Sequence, residues 1–194
     1  NVICPINVKK ENPVIIFAGH LDVVFPDTTE LPVEVKDGRV YGPGIVDDTV
    51  NAAAVMMMAR MVNELGLKPV DPEMGLLFVM NSCEEGLGNL KGSRQLFQDF
   101  GSRAVGFYTF DGFYDSINND AVGSMRYGVE FVTEGGHSYV DFGNKSAIHY
   151  MAHFITTLCQ IKVPQEKKTT YNVGLVEGGT SVNTIAQQAK MTYE

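Results

Sequence analysis

The sequence predicts an α/β fold: part of a mixed, mostly parallel sheet with flanking helices, followed by part of a small α+β unit. Three continuous apolar runs, at residues 14–18, 75–80 and 104–110, are typical of strands buried on both faces. Helical patterns separate these runs, and strand, helix, strand is the order that crossover connections produce. Near Gly123 the pattern changes, and segments of alternating polarity then surround a single helix.

The first predicted helix covers residues 49–65, between the first two apolar runs. Its apolar side chains recur at helical spacing, and Gly66 is placed to cap its C-terminus. The face predicted to be buried comprises Ala52, Val55, Met56, Ala59, Val62 and Leu65. A shorter helix is predicted over residues 90–100, and Gly101 ends it.

A β-hairpin is predicted within residues 31–41. Asp37 and Gly38 lie at its centre, and Asp-Gly is a preferred pair for a two-residue hairpin turn. The hairpin falls between the first apolar run and the first helix.

The sequence of the smaller unit predicts a strand, a helix and a second strand, in that order. Residues 126–133 and 171–177 alternate in polarity, and residues 147–161 have a helical pattern. The apolar face of this helix is predicted to hold Ile148, Met151, Ala152, Ile155 and Leu158. Residues 189–194 predict a further strand.

The composition excludes several classes of function. The chain has 194 residues with 15 basic and 23 acidic side chains, a net charge of −8, so a nucleic-acid partner is not expected. The apolar stretch at residues 52–59 ends at Arg60 and is too short to span a membrane. Three cysteines, Cys4, Cys83 and Cys159, have no metal-binding spacing. Reduced thiols and a cytoplasmic location are expected.

A histidine and an aspartate follow the first apolar run directly. His20 and Asp22 lie two residues apart, so in an extended chain their side chains share one face. An imidazole beside a carboxylate is typical of a metal ligand with a supporting acid. The alternative is a histidine at a strand end that makes only a local hydrogen bond.

Further acids lie at the other predicted strand ends and at the first helix. Asp47 and Asp48 follow a glycine-rich turn, Glu84 and Glu85 follow the second run, and Asp111 follows the third. Each has an ordinary alternative: a helix N-cap, a solvated pair of acids or an Asp-Gly turn. The carboxyl ends of parallel strands meet at one edge of a sheet, where ligands bind. We therefore expect these side chains to converge on a divalent cation such as Zn²⁺, Co²⁺ or Mn²⁺.

Five motifs carry a resemblance to a known superfamily. In order they are Gly19-His20-Leu21-Asp22-Val23-Val24-Phe25-Pro26, Tyr41-Gly42-Pro43-Gly44-Ile45-Val46-Asp47-Asp48, Cys83-Glu84-Glu85-Gly86-Leu87-Gly88, Gly135-Gly136-His137-Ser138 and Gly178-Gly179-Thr180-Ser181-Val182-Asn183-Thr184-Ile185-Ala186. Their order resembles that of the dinuclear zinc metallopeptidases, which include peptidase T, glutamate carboxypeptidase, aminoacylase and succinyl-diaminopimelate desuccinylase. The residues of these motifs are most similar to those of the peptidase T branch. The fold that this resemblance implies is zinc exopeptidase-like.

The resemblance implies a role for each residue of the larger unit's site. Two zinc ions are bridged by Asp47, with His20 and Asp111 on one ion, and Glu85 and a further histidine on the other. Asp22 is implied to orient His20. Glu84 is implied to be the general base for a water that bridges the two ions. A cis peptide between Asp47 and Asp48 is also implied.

The resemblance also divides the chain into a catalytic domain, residues 1–122, and a lid domain, residues 123–194. The lid is implied to form a homodimer. His137 is implied to stabilise the oxyanion in the neighbouring subunit's site, and Asn183 to bind substrate. From the residues alone, His137 is instead interpreted as a turn histidine and Asn183 as a capping or turn residue. The family's last metal-ligand histidine is not found before Glu194, so we expect a fragment whose second metal site lacks one ligand.

Three hypotheses follow. The first is a metal-dependent exopeptidase for di- and tripeptides. The second is a deacylase or desuccinylase of N-acyl amino acids, which differs only in its substrate pocket. The third is a non-catalytic chain that binds metal and peptide, motivated by the missing histidine. Cys83, beside the predicted base, is expected to be a small buried residue at a strand end rather than a nucleophile.

Overall fold

The computed structural model describes residues 1–25 and 30–194, so Pro26, the last residue of the first motif, lies outside the described residues. The chain divides into two compact units, residues 1–117 and 118–194. The described chain has no helix or strand between Thr109 and Tyr127, and the boundary predicted near Gly123 falls in this stretch.

Within the described residues, the larger unit contains six strands and two long helices. These are β1 (Val2–Ile6), β2 (Val14–His20), β3 (Glu34–Lys36), β4 (Arg39–Tyr41), α1 (Val50–Glu64), β5 (Gly75–Asn81), α2 (Lys91–Phe100) and β6 (Ala104–Thr109). Strands β2, β5 and β6 correspond to the three predicted apolar runs. The main sheet has the order β1-β5-β2-β6. Strand β2 pairs in parallel with β5 and β6, and β1 pairs antiparallel with β5. The mixed sheet of the predicted fold class is therefore confirmed.

Both faces of this sheet are covered. On one face, side chains of β2 and β5 pack with Leu96 of α2; on the other, Phe17 and Phe78 pack with Val55 and Ala59 of α1. Burial on both faces explains why β2 and β5 are continuous apolar runs. The same expectation was wrong for β6, an edge strand whose side chains are mostly exposed. The first strand, β1, was not predicted, because its Cys4-Pro5 sequence is a poor strand signal; proline is tolerated there since β1 is an edge strand.

Helix α1 buries a slightly different face from the predicted one. Asn51, Ala52, Val55 and Ala59 are buried, whereas Met56 and Leu65, which were predicted to be buried, are exposed. The buried stripe therefore begins with a polar residue, which apolar periodicity cannot detect. Gly66 follows the helix with a φ of 60°, as its predicted role in the C-cap requires.

The predicted hairpin is confirmed. Strands β3 and β4 pair antiparallel, with Val35 opposite Val40. Asp37 and Gly38 both have positive φ, of 51° and 73°, as a type I′ turn needs.

The smaller unit is an antiparallel sheet covered by one helix. Its elements are β7 (Tyr127–Val132), β8 (Gly136–His137), α3 (Ala147–Leu158), β9 (Val173–Gly178), β10 (Thr184–Ile185) and β11 (Gln188–Tyr193). Three strands form a sheet in the order β7-β11-β9, and β8 pairs with β10 in a separate two-stranded ribbon. The strands predicted at residues 126–133, 171–177 and 189–194 correspond to β7, β9 and β11.

Helix α3 packs on the three-stranded sheet. Met151, Ile155 and Leu158 lie in the shared core, as predicted, but Ile148 and Ala152 are exposed. Their places in the stripe are taken by Ala147 and Phe154. A helix with this many apolar residues contains two overlapping stripes, and only the packed sheet selects one. No helix in the described ranges is long and apolar enough to cross a membrane.

Candidate active site

The predicted site residues of the larger unit lie at the carboxyl ends of its parallel strands. His20 is the last residue of β2, Glu84 and Glu85 lie in the loop after β5, and Asp111 follows β6. Asp47 lies in the turn formed by Ile45–Thr49, directly before α1. The topology of the sheet therefore places all five at one edge.

Two groups of potential metal-ligand atoms share His20. One comprises His20, Asp47 and Asp111; the other comprises His20, Glu84 and Glu85, and within each group the atoms lie within 4.8 Å of one another. Nε2 of His20 is 2.9 Å from Oδ1 of Asp47 and 4.0 Å from Oε2 of Glu84. One buried imidazole thus stands between two sets of carboxylates.

The turn before α1 separates two adjacent acids. Gly44 has a φ of 73°, and Asp47 and Asp48 have non-helical backbone angles, joined by a cis peptide bond as the resemblance implied. The side chain of Asp47 is 60% exposed, whereas Asp48 is only 1% exposed. Only the Asp47 carboxylate is accessible at the edge of the sheet where the site lies, so the two acids have different structural roles.

Asp48 is a structural acceptor that sequence reasoning missed. Its Oδ2 accepts the backbone N–H of His20 at 2.7 Å, and its Oδ1 accepts a bond from Nδ2 of Asn51. Neither Asp47 nor Asp48 is the N-cap of α1, which is Thr49 without a side-chain bond. The buried Asn51 also donates to the carbonyl oxygen of Gly112, at 3.3 Å. An asparagine on an otherwise apolar helix stripe was the available signal.

Asp22 contacts His20 differently from what was expected. Nδ1 of His20 lies 2.9 Å from the backbone carbonyl oxygen of Asp22 but 3.9 Å from its carboxylate. The carboxylate instead accepts the backbone N–H groups of Glu84 at 3.1 Å and Glu85 at 2.9 Å. A bond from Nδ1 to a carbonyl fixes the proton there and leaves Nε2 as the ligand atom. Asp22 therefore positions the histidine and both glutamates.

The ionisation of the site reflects burial and crowding of negative charge. Burial raises the pKa of Glu84 and of Glu85, and the neighbouring carboxylates raise both further. Burial lowers the pKa of His20, but the charge of Asp48 and the Asp22 carbonyl outweigh this, and the net pKa is raised. Burial also opposes ionisation of Asp22, yet the N–H groups of Glu85 and Glu84 hold its pKa below the ordinary value.

This set of side chains fits a divalent cation. Across the described residues, every ion pair that involves these acids uses His20 as the base, and none uses lysine or arginine. Several carboxylates so close together repel one another unless a cation offsets their charge. Oxygen donors with one imidazole and no thiolate suit Zn²⁺, Mn²⁺ or Co²⁺.

Cys83 lies in a tight loop beside the site. It is exposed with a φ of 59°, so the expectation of a buried residue at a strand end was wrong. A Cβ on Gly88 would lie 2.7 Å from the Cys83 carbonyl oxygen, which shows how closely the loop folds back. The loop borders an open recess of about 440 Å³ that also contacts Asp22 and Val23.

His137 and Asn183 form a separate group in the smaller unit. His137 ends β8 and is opposite Thr184 of β10. The backbone N–H of Ser138 donates to the carbonyl oxygen of Asn183 at 3.0 Å. The ribbon thus places these two predicted residues side by side, both exposed.

Comparison with known proteins relates the fold and the motifs to one family. The family model described as peptidase family M20/M25/M40 matches residues 16–192. Succinyl-diaminopimelate desuccinylase of Thiobacillus denitrificans is 28% identical over 193 residues, which cover 90% of this chain and 48% of that protein. The chain spans about half the length of the curated relatives it matches, from 44% to 52%.

Two solved structures illustrate the likeness of fold. A tripeptidase from Staphylococcus aureus has a TM-score of 0.58 at 22% identity, over 98% of this chain and 50% of its own. A protein from Bacillus subtilis described as a dinuclear metal binding peptidase has a TM-score of 0.53 at 17% identity, over 99% of this chain and 50% of its own. The mixed sheet with its flanking helices is the fold of these peptidases.

Proposed function

The chain belongs to peptidase family M20/M25/M40, and on this premise we propose that it forms the metal-binding part of a hydrolase that cleaves the amide bond of a di- or tripeptide. The observation that carries the proposal is the convergence of His20, Asp47, Glu84, Glu85 and Asp111 at one sheet edge. Family membership supports amide hydrolysis, and the site supports a metal-dependent form of it.

The residues suited to hold metal are those with clustered donor atoms. His20 and Asp111 would hold one zinc ion, Glu85 would contribute to a second, and Asp47 would serve both. Co²⁺ or Mn²⁺ would be substitutes for Zn²⁺. When bound, two such cations polarise a carbonyl group and lower the pKa of a nearby water.

Glu84 is the proposed general base. Its backbone is fixed by Asp22, and its Oε2 lies 4.0 Å from Nε2 of His20, next to the proposed ligands. It removes a proton from the water that attacks the carbonyl carbon. It then gives this proton to the amine nitrogen as the carbon–nitrogen bond breaks, so the products are a carboxylic acid and an amine.

A short peptide substrate is supported by the recess beside the site. Its apolar lining, from Val23, Val24 and Leu87, suits one small or medium side chain. The alternative, an N-acyl amino acid, is favoured by the identity with a desuccinylase. Both substrates contain one amide bond, so the same residues would serve either reaction.

His137 and Asn183 are proposed to bind the substrate, with His137 as a donor to the oxygen that becomes negative during the reaction. A homodimer through the smaller unit and a cytoplasmic setting belong to the same proposal. The three unpaired cysteines are compatible with a reducing compartment.

The test combines Glu84→Gln with a matched control, Glu64→Gln. Glu64 is exposed on α1 and pairs with Arg60, so its substitution should leave turnover unchanged. Glu84→Gln preserves the shape of the side chain but removes the base, and we expect turnover to fall by about 10²–10⁴-fold. Zinc content, measured by atomic emission, should stay the same.

Dipeptides, tripeptides and N-acyl amino acids should be assayed in parallel on the purified protein. Faster cleavage of peptides supports the first candidate, and faster cleavage of acyl compounds supports the second. Undiminished turnover by Glu84→Gln would contradict the role of Glu84. Failure to hydrolyse either class, with one tight metal per chain, would instead support the non-catalytic alternative.

A further inference from the structure

The imidazole of His137 is held by the loop that follows it. Its Nδ1 accepts the backbone N–H groups of Tyr139, at 3.2 Å, and Val140, at 3.4 Å. Because Nδ1 is an acceptor, the neutral ring carries its proton on Nε2. The exposed side chain therefore presents an N–H donor rather than a lone pair.

Asp141 closes this loop back onto His137. Its Oδ2 accepts the backbone N–H of His137 at 2.7 Å, and its own N–H donates to the carbonyl oxygen of His137 at 2.9 Å. Residue 136 must be glycine for this contact, since a Cβ there would lie 2.7 Å from the Asp141 carboxylate, and its φ is 138°. Two bonds thus join residues 137 and 141 directly.

Asn144 anchors the far end of the same loop. Its N–H donates to the carbonyl oxygen of Asp141 at 3.0 Å, and its Nδ2 donates to the carbonyl oxygen of Gly135 at 2.8 Å. The near end is fixed by the pairing of His137 with Thr184. The backbone N–H groups that bond Nδ1 are therefore held at both ends of a closed loop.

We propose that Asp141 is a positioning residue that fixes the direction and tautomer of His137. It touches no substrate; it sets the backbone of residues 137–141, and that backbone sets the ring. The inference rests on the proposed function, in which His137 donates to the oxygen that gains negative charge. Such a donor stabilises the transition state most when its N–H is already oriented towards that oxygen before the reaction begins.

A double-mutant cycle tests whether Asp141 acts through His137. Asp141→Ala should lower kcat by roughly 10- to 100-fold, within the roughly 10²–10³-fold cost of losing such a donor, and should change KM by less than about twofold. In a His137→Ala background, the same substitution should have no further effect. Asp141→Asn retains an acceptor oxygen and should recover most of the loss.

The matched control is Asp120→Ala. Asp120 is an exposed aspartate of the same unit, 3.8 Å from Lys167, and its substitution should leave kcat unchanged. Thermal unfolding of each variant reports whether the fold is intact. Additive effects of Asp141→Ala and His137→Ala would overturn the proposal, as would wild-type kcat in Asp141→Ala.

Nitrogen NMR of the His137 ring separates this inference from the proposed function. In the wild-type protein with its ring neutral, Nδ1 should give the signal of an unprotonated nitrogen and Nε2 that of a protonated one. In Asp141→Ala both signals should move towards those of a free histidine. If no amide substrate is cleaved, the proposed function fails, and the spectra alone then test whether Asp141 positions the His137 ring. Unchanged ring signals in the variant would refute this role of Asp141.

Discussion

The carboxylate of Asp48 accepts the backbone N–H of His20 at 2.7 Å. This bond ties the end of the central strand β2 to the turn before α1, and it is fully buried. The proposed metal ligand His20 is therefore positioned by a neighbour of another proposed ligand, Asp47. Much of the site depends on such links between a carboxylate and a backbone N–H group.

Removing the Asp48 carboxylate should destabilise the larger unit. Asp48→Ala leaves the N–H of His20 and the amide of Asn51 buried without an acceptor, and we expect a loss of about 2–4 kcal/mol in the free energy of unfolding. Asp48→Asn keeps one acceptor oxygen and should cost less. Urea denaturation of the metal-free protein measures both. Asp99→Ala, at an exposed aspartate bonded to Gln95, is the control; an equal loss there would argue against this role.

Asp22 should control metal affinity without being a ligand. Its carboxylate accepts the N–H groups of Glu84 and Glu85, and an asparagine in its place can accept only one of them. We expect Asp22→Asn to weaken zinc binding by about 10- to 100-fold, as is usual for residues that orient ligands. Competition with a zinc chelator gives the affinity.

The control for Asp22 is Asp37→Asn. Asp37 lies in the hairpin turn with a φ of 51°, which asparagine adopts readily. Zinc affinity should be unchanged in this variant. Equal affinities of Asp22→Asn and the wild-type protein would contradict the positioning role of Asp22.

Zinc should stabilise the folded protein through Asp111. A ligand that binds only the folded state adds about 2.7 kcal/mol at a concentration of 100 times its Kd, so added zinc should raise the Tm. We expect Asp111→Ala to lose most of this increase. Asp115→Ala removes another exposed acid from the same segment and should retain it. A full zinc-dependent rise in Asp111→Ala would exclude Asp111 as a ligand.

Strands β2 and β5 of the larger unit are predictable from the sequence because they are buried on both faces. Such burial requires apolar runs like the one that forms β2, whereas β1 contains a proline that only an edge position allows. The full apolar stripe on α3 was not predictable, since its apolar residues offer two and only packing against the sheet selects Ala147 and Phe154 in place of Ile148 and Ala152.

The candidate site was likewise only partly predictable from the sequence. His20, Glu84 and Asp111 were singled out because they follow strand ends in the chain. The structural roles of Asp48 and Asp141 were not predicted. Both carboxylates accept backbone N–H groups, and a pattern of side chains in the sequence does not show which N–H groups will lie near them in the folded loop. The carboxylate of Asp22 likewise faces two glutamate N–H groups that lie 62 and 63 residues further along the chain.

The absence of a side chain at Gly136 should matter as much as the presence of Asp141. A Cβ at residue 136 would lie 2.7 Å from the Asp141 carboxylate, and a φ of 138° is unfavourable for other residues. Gly136→Ala should therefore destabilise the smaller unit by about 1–3 kcal/mol, and lower kcat to the level of Asp141→Ala. Gly128→Ala is the matched control, because a Cβ there has no neighbour within 4 Å among the described residues, and it should be neutral or stabilising by less than about 1 kcal/mol. Thermal unfolding and steady-state kinetics on the two variants measure both effects. Wild-type kinetics in Gly136→Ala would mean that the hydrogen bond from the His137 N–H to Asp141 survives a shift of the loop. The orientation of the imidazole would then not depend on a glycine at residue 136.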